Sequence, residues 1–168
     1  MKRICRSSRG ITLMELMASV VIIGIVAAAA VPRFDEAFER IRFRGANQDV
    51  VSSLRLARSA AITDKEQFGV HFNPSSRVVT LFRDIVAPTS FQFNTGDSVV
   101  KVDTLPSEVN FLGTDLVGNC IVFRPNGSAQ FTGGGNVVLL ATTEDMVGIS
   151  SHNVLASTGR VQSWTHYY

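Results

Sequence analysis

The 168-residue sequence predicts an α+β chain: one long N-terminal helix, its first half crossing a membrane, packed on a small and mainly antiparallel β-domain. Three observations predict it. Residues 11–31 form an unbroken apolar run whose only ionisable member is Glu15; residues 33–62 continue with helical periodicity; beyond residue 63 the chain breaks into short Val-, Phe- and Thr-rich runs separated by turn residues. The composition agrees, since 45% apolar and 18% charged residues exclude a disordered tail, and two cysteines are too few for a disulfide-built scaffold.

The first element is the run ITLMELMASVVIIGIVAAAAV, 21 residues that as a helix would be about 30 Å long, the thickness of a bilayer's hydrocarbon core. Lys2, Arg3, Arg6 and Arg9 precede it with no acidic residue among the first ten, which places the N-terminus in the cytoplasm and the rest outside. By segment, residues 1–10 carry +4, 11–32 carry −1, 33–62 carry +2 and 63–168 carry −3. The sequence pI near 8.8 therefore belongs to the first ten residues and is no sign of a nucleic-acid-binding body. An ordinary secretory signal, cleaved around Ala27–Ala30, is disfavoured by the length of the run and by its carboxylate. A lone carboxylate inside a bilayer costs about 2.5–3.5 kcal/mol, so Glu15 is either functional or sits at headgroup depth.

The second element extends the helix over 33–62. Phe34, Phe38, Ile41, Val50, Val51, Leu54, Leu56, Ala57, Ala60 and Ile62 recur mostly at i, i+3 and i+4, and predict the apolar stripe. Arginines 33, 40, 42, 44, 55 and 58, mixed with Asp35, Glu36, Glu39 and Asp49, make the other face polar, a solvated surface with some contact to anionic headgroups. Gly24 and Pro32 are the points where this helix should kink or give way, proline because it lacks an N–H and crowds the preceding turn.

The third element is the β-domain. Strands are predicted at 67–72, 78–83, 98–103, 108–112, 120–124, 129–131, 137–141, 146–150 and 160–164. Turn chemistry separates them at 73–75, 88–89, 94–96, 125–128 and 133–136. Asn126-Gly127 is a hairpin turn needing a positive φ; with Ser128 it also matches a glycosylation sequon.

The string RGITLMELMASVVIIGIVAAAAVP resembles the N-terminus of type IV prepilins and type II secretion pseudopilins: a basic leader ending in Gly10, then Ile11, Thr12, Leu13 and a glutamate, Glu15, at the fifth place after the glycine. The resemblance implies that prepilin peptidase cuts between Gly10 and Ile11, that Ile11 is then N-methylated, and that Thr12, Leu13 and Glu15 serve assembly. Glu15 would pair with the N-terminal amine of a neighbouring subunit, where an unpaired charge is penalised. Ile11 departs from the phenylalanine commoner at that place. Loss of residues 1–10 turns the net side-chain charge from +2 to −2.

CIVFRPNGSAQFTGGGNVVLL, followed by Thr158-Gly159-Arg160, resembles the strand–turn–strand signature and closing strand of the FimT, FimU and GspH group of minor pilins and pseudopilins. That resemblance implies a pilin fold and a minor type IV pilin that primes pilus assembly and ends at or near the tip. The alternative is a GspH-like minor pseudopilin of a type II secretion system. Implied partners are other minor pilins, the major pilin, the peptidase, the inner-membrane assembly platform and membrane lipid. The implied location is the bacterial inner membrane with a periplasmic domain, then the filament. A further alternative is a DNA-binding minor pilin, because some of the group bind DNA through a Gly-Arg-x-Arg element. Here Gly159-Arg160-Val161-Gln162 lacks the second arginine, leaving Arg160 for phosphate and Trp164, Tyr167 and Tyr168 for base stacking.

Cys5 leaves with the leader, so Cys120 has no intrachain partner and reads as a small buried hydrophobe. No metalloprotease, nucleophile-elbow, P-loop or CxxC motif is present, and His71, His152 and His166 are far apart or isolated in sequence. A non-catalytic protein without cofactor or metal is expected.

Overall fold

A computed structural model describes residues 10–142 and 146–168, without the side chains of 31–33 and 36; Lys2, Arg3, Cys5, Arg6 and Arg9 lie outside the described residues. Among the described residues one long helix, α1 (Leu13–Asp64), precedes nine strands: β1 (Phe68–Asn73), β2 (Val78–Arg83), β3 (Ser98–Thr104), β4 (Val109–Leu116), β5 (Cys120–Phe123), β6 (Ala129–Gln130), β7 (Gly133–Thr142), β8 (Val147–Val154) and β9 (Val161–Tyr167), with a 3-10 turn at Val117–Asn119. The chain divides into two compact units, 1–37 and 38–168.

α1 runs unbroken through Gly24 and Pro32. A proline removes one rung of the ladder, and in a helix of 52 residues the neighbouring turns keep theirs. The helix stops at Asp64 because Lys65 adopts the left-handed conformation, φ 58°, of a residue just past a helix end.

In the second unit the strands form two antiparallel sheets, β3-β2-β1-β5-β6 and β4-β7-β8-β9. Their inner faces and α1 share one core, in which Phe43, Val50 and Leu54 meet Val70, Phe72 and Ile121 of the first sheet and Val137 and Leu139 of the second. The buried positions of α1 are Phe43, Ala46, Asn47, Val50, Ser53, Leu54, Ala57 and Ala61, spaced by three and four. The predicted stripe is thus corrected. Val50, Leu54 and Ala57 are core, but Phe38, Ile41, Leu56 and Ile62 are 57%, 63%, 46% and 37% exposed. Small residues at 46, 53, 57 and 61 let the helix lie close to the sheets, a preference that a search for large apolar residues overlooks.

All nine predicted strands exist; β4 runs on from residue 112 to Leu116, and β7 and β8 also depart from their predicted bounds. Gly133-Gly134-Gly135-Asn136 is the start of β7 rather than a turn, because Cβ atoms at Gly133 and Gly135 would lie 1.7 Å from the Asp115 carbonyl and 2.4 Å from the Phe131 ring. β8 continues past Ser150 through Ser151, His152 and Asn153 to Val154. The far side of the first sheet is covered by the 84–97 segment, whose Phe91 packs on Phe82, Cys120 and Val122. Asp97 holds that segment by accepting hydrogen bonds from the backbone N–H groups of Ile85, Val86 and Asn94 at 3.0, 3.0 and 2.7 Å.

Candidate processing and assembly site

Gly10, Ile11 and Thr12 are non-helical, and α1 begins at Leu13. The cause is a cap. Thr12 Oγ1 accepts from the Glu15 N–H at 3.2 Å, and the Thr12 carbonyl accepts the first helical bond, from Leu16 N, at 3.1 Å. Thr12-x-x-Glu15 is thus a capping box by sequence, with its threonine half formed, and it places Glu15 in the first turn where the helix dipole favours a carboxylate. The Thr-x-x-Glu spacing is present in the sequence and signals this local role independently of any role in assembly. The Gly10–Ile11 bond lies in exposed non-helical backbone, and Ile11 is 74% exposed. A peptidase needs such backbone, since helical ladder bonds hide the scissile amide.

After the cap, Leu13–Ala30 is an apolar window of mean hydropathy 2.3 with no buried residue. Leu13 is 79% exposed, and a Cβ at Gly24 would meet nothing within 4 Å. An apolar surface of this size is covered by lipid or by other helices. Gly24 can approach a neighbour closely only when one is there. In the second unit Phe38 and Ile41, one turn apart, form another exposed apolar patch.

The tail residues do not form one surface. β9 alternates, so Trp164 (63% exposed) faces outward, as do His166 and Tyr168, whose rings meet edge to face at 4.7 Å. Tyr167 turns inward, edge-on to Phe43 at 6.0 Å and beneath the Arg40 guanidinium at 5.9 Å. Arg160 lines a cleft with Arg55 and Arg58. The aromatics considered for base stacking, Trp164, Tyr167 and Tyr168, are therefore divided between two faces by the period of the strand.

Both signature motifs are structural. Gly127 (φ 80°) makes the turn after β5, Asn126 Oδ1 accepts from Ser128 N at 3.0 Å, and Arg58 Nε donates to the Gly127 carbonyl at 3.1 Å. Gly159 (φ 61°) lies so close that its Cβ would stand 2.2 Å from that carbonyl. The two turns and α1 are thereby locked together. Cys120 is buried, and burial pushes its thiol up to about 12, so it stays protonated.

One polar cluster was not foreseen. Ser150 Oγ donates to Asn47 Oδ1 and lies 3.0 Å from His152 Nε2, which is 3.3 Å from Asn47 Oδ1. Ser150 and His152 share one face of β8 and Asn47 faces them from α1. A serine beside a histidine suggests a nucleophile, but Ser150 and His152 are both 0% exposed, and burial lowers the His152 pKa to about 4. No substrate carbonyl can reach Ser150, so the cluster joins helix to sheet.

A capped apolar helix preceded by exposed non-helical backbone, and followed by antiparallel sheets built on its second half, defines the class of pilin-like subunits. The profile of the prokaryotic N-terminal methylation motif matches residues 5–31. That of the type II transport protein GspH matches residues 46–155. The chain belongs to the GspH family. No curated protein matches it significantly. Among solved structures, the minor pseudopilin EpsH from the type 2 secretion system of Vibrio cholerae is similar over 70% of this chain and 91% of that one, with 16% identity and a TM-score of 0.46.

Proposed function

We propose that the chain is a minor subunit of a type II secretion pseudopilus, non-catalytic, cut between Gly10 and Ile11, methylated on Ile11, and held in the inner membrane with its β-domain in the periplasm. The observation that carries this is the capped start of α1: an accessible non-helical bond, then Glu15 in the first turn of an apolar helix left uncovered. Membership of the GspH family favours the pseudopilus over the type IV pilus, reversing the order of preference that the sequence motifs suggested. The second reading, a minor type IV pilin that primes assembly near the fibre tip, shares the same processing and helix packing and is supported by the 123–128 and 158–160 motifs.

In either filament, Glu15 of one subunit pairs with the Ile11 amine of the next, and the chain's partners are other minor subunits, the major subunit and the assembly platform. Glu15→Leu is expected to be cleaved normally yet fail to co-purify with filament subunits from membranes. Mass spectrometry of the wild-type partners separates secretion from pilus. Normal incorporation of the leucine variant would overturn the assembly role of Glu15.

A further inference from the structure

A groove runs along one flank of α1 beside β9. It consists of two clefts that share Arg55, of about 740 and 460 Å³. Arg44 and Arg55 line the larger one, and Arg55, Arg58 and Arg160 the smaller. No acidic residue lines either cleft. Opposite the helix stand Ser163, Thr165 and Tyr167 of β9, and on the floor Asn47 and His152, whose Nδ2 and Nδ1 are buried without a hydrogen-bond partner.

β9 ends its sheet, pairing only with β8 among the described residues. Its free groups can be assigned by parity. Leu155 N donates to Arg160 O and Tyr168 N to Val147 O, and the ladder between them pairs Val154 with Val161 and Gly148 with Tyr167. Hydrogen-bonded pairs alternate in an antiparallel ladder, so the even-numbered residues of β9 bond β8. Val161, Ser163, Thr165 and Tyr167 point their N–H and C=O groups to the open edge, and these residues also face the groove.

An open strand edge accepts another strand, and a groove with four arginines and no acid selects an anionic one. From this juxtaposition we infer that the groove is a docking site for an extended acidic segment of a partner protein, which adds as a strand to β9 and sets alternate carboxylates against Arg44, Arg55, Arg58 and Arg160. Guanidinium–carboxylate pairs supply charge complementarity, and the main-chain ladder supplies register. A nucleic acid would use the same arginines but not the edge amides.

The test uses the full processed chain in detergent micelles and a fluorescent peptide alternating glutamate with threonine, read by anisotropy. Controls are a lysine-threonine peptide, the acidic peptide N-methylated on alternate amides in both registers, and a single-stranded oligonucleotide. The acidic peptide is expected to bind, and Arg55→Glu to weaken it by roughly tenfold or more. Thr165→Pro, which removes an outward N–H without touching the β8 ladder, and N-methylation of the peptide should each weaken it similarly; should Thr165→Pro not fold, the N-methylated peptides decide. Binding unchanged by Arg55→Glu or by N-methylation overturns the inference, as does binding of the oligonucleotide alone or of neither ligand. Glu15→Leu should bind the peptide normally, so failure here and failure of the assembly reading are distinguishable.

Discussion

His152 makes stability fall on mild acidification. Its ring is fully buried and neutral, with a pKa lowered from 6.5 to about 4 by burial. The unfolded chain takes up the proton first. The native state is therefore at no disadvantage above pH 6.5, and loses stability as pH falls from 6.5 towards 4. Between pH 7 and pH 5 the linkage relation gives a loss of about 2 kcal/mol, levelling near 3 kcal/mol at lower pH. In urea unfolding of the processed chain, followed by the β-sheet circular dichroism signal, that is a drop in midpoint of about 1 M.

Burial also lowers the pKa of His71, which contributes in the same direction, so the wild-type curve alone does not isolate His152. His152→Gln removes one titrating ring and keeps a polar group near Ser150 and Asn47. Its loss of stability between pH 7 and pH 5 should be smaller than that of the wild type by about 2 kcal/mol. Equal losses in the two proteins, or a His152 ring resonance titrating above pH 6, would refute the reasoning.

Two further outcomes concern the loops. For Asp97, burial raises the carboxyl pKa, but the backbone donors of Val86, Asn94 and Ile85 outweigh it and hold it below the usual value of 3.8. Its contribution is therefore present above pH 3.8 and fades as pH falls below it, and Asp97→Asn should cost about 1.5–3 kcal/mol and speed amide exchange across 84–97. Gly159→Ala forces a side chain into φ 61° and against the Gly127 carbonyl, and should lower stability by about 2 kcal/mol or more in a thermal melt, while Gly113→Ala, with nothing within 4 Å, serves as the neutral control.

The strands were legible because period-two apolar alternation and turn residues are local signals; β2 is found at the residues predicted. Where a strand was misjudged, a non-local contact decided it. Gly133–Gly135 has turn composition, but the Asp115 carbonyl and Phe131 ring leave room only for glycine there, and the end of β8 was hidden by a Ser-Ser-His-Asn run whose two serines bond Asn47 of α1 and Asn136 of β7. The prepilin-type motif was legible because its residues are contiguous, though the cap that Thr12 makes to Glu15 was not read from it. The basic groove was not legible, since Arg44, Arg55 and Arg160 come together only when β9 lies beside α1.

The helix carries the clearest lesson in what periodicity leaves undecided. Ile41 and Phe43 are both large and apolar, yet residues two apart on a helix point about 200° from one another, so one sheet cannot bury both. Phe43 is 1% exposed and Ile41 63% exposed. Adding Phe38, one turn from Ile41, completes an apolar patch on the side away from the sheets. Sequence spacing therefore joined the Phe38–Ile41 patch to the core positions Val50, Leu54 and Ala57 and passed over Phe43. The stripe through Phe43, Val50, Leu54 and Ala57 holds the β-domain together in a single chain. The patch at Phe38 and Ile41 gains nothing from that fold, since its large apolar groups stay exposed at the helix surface.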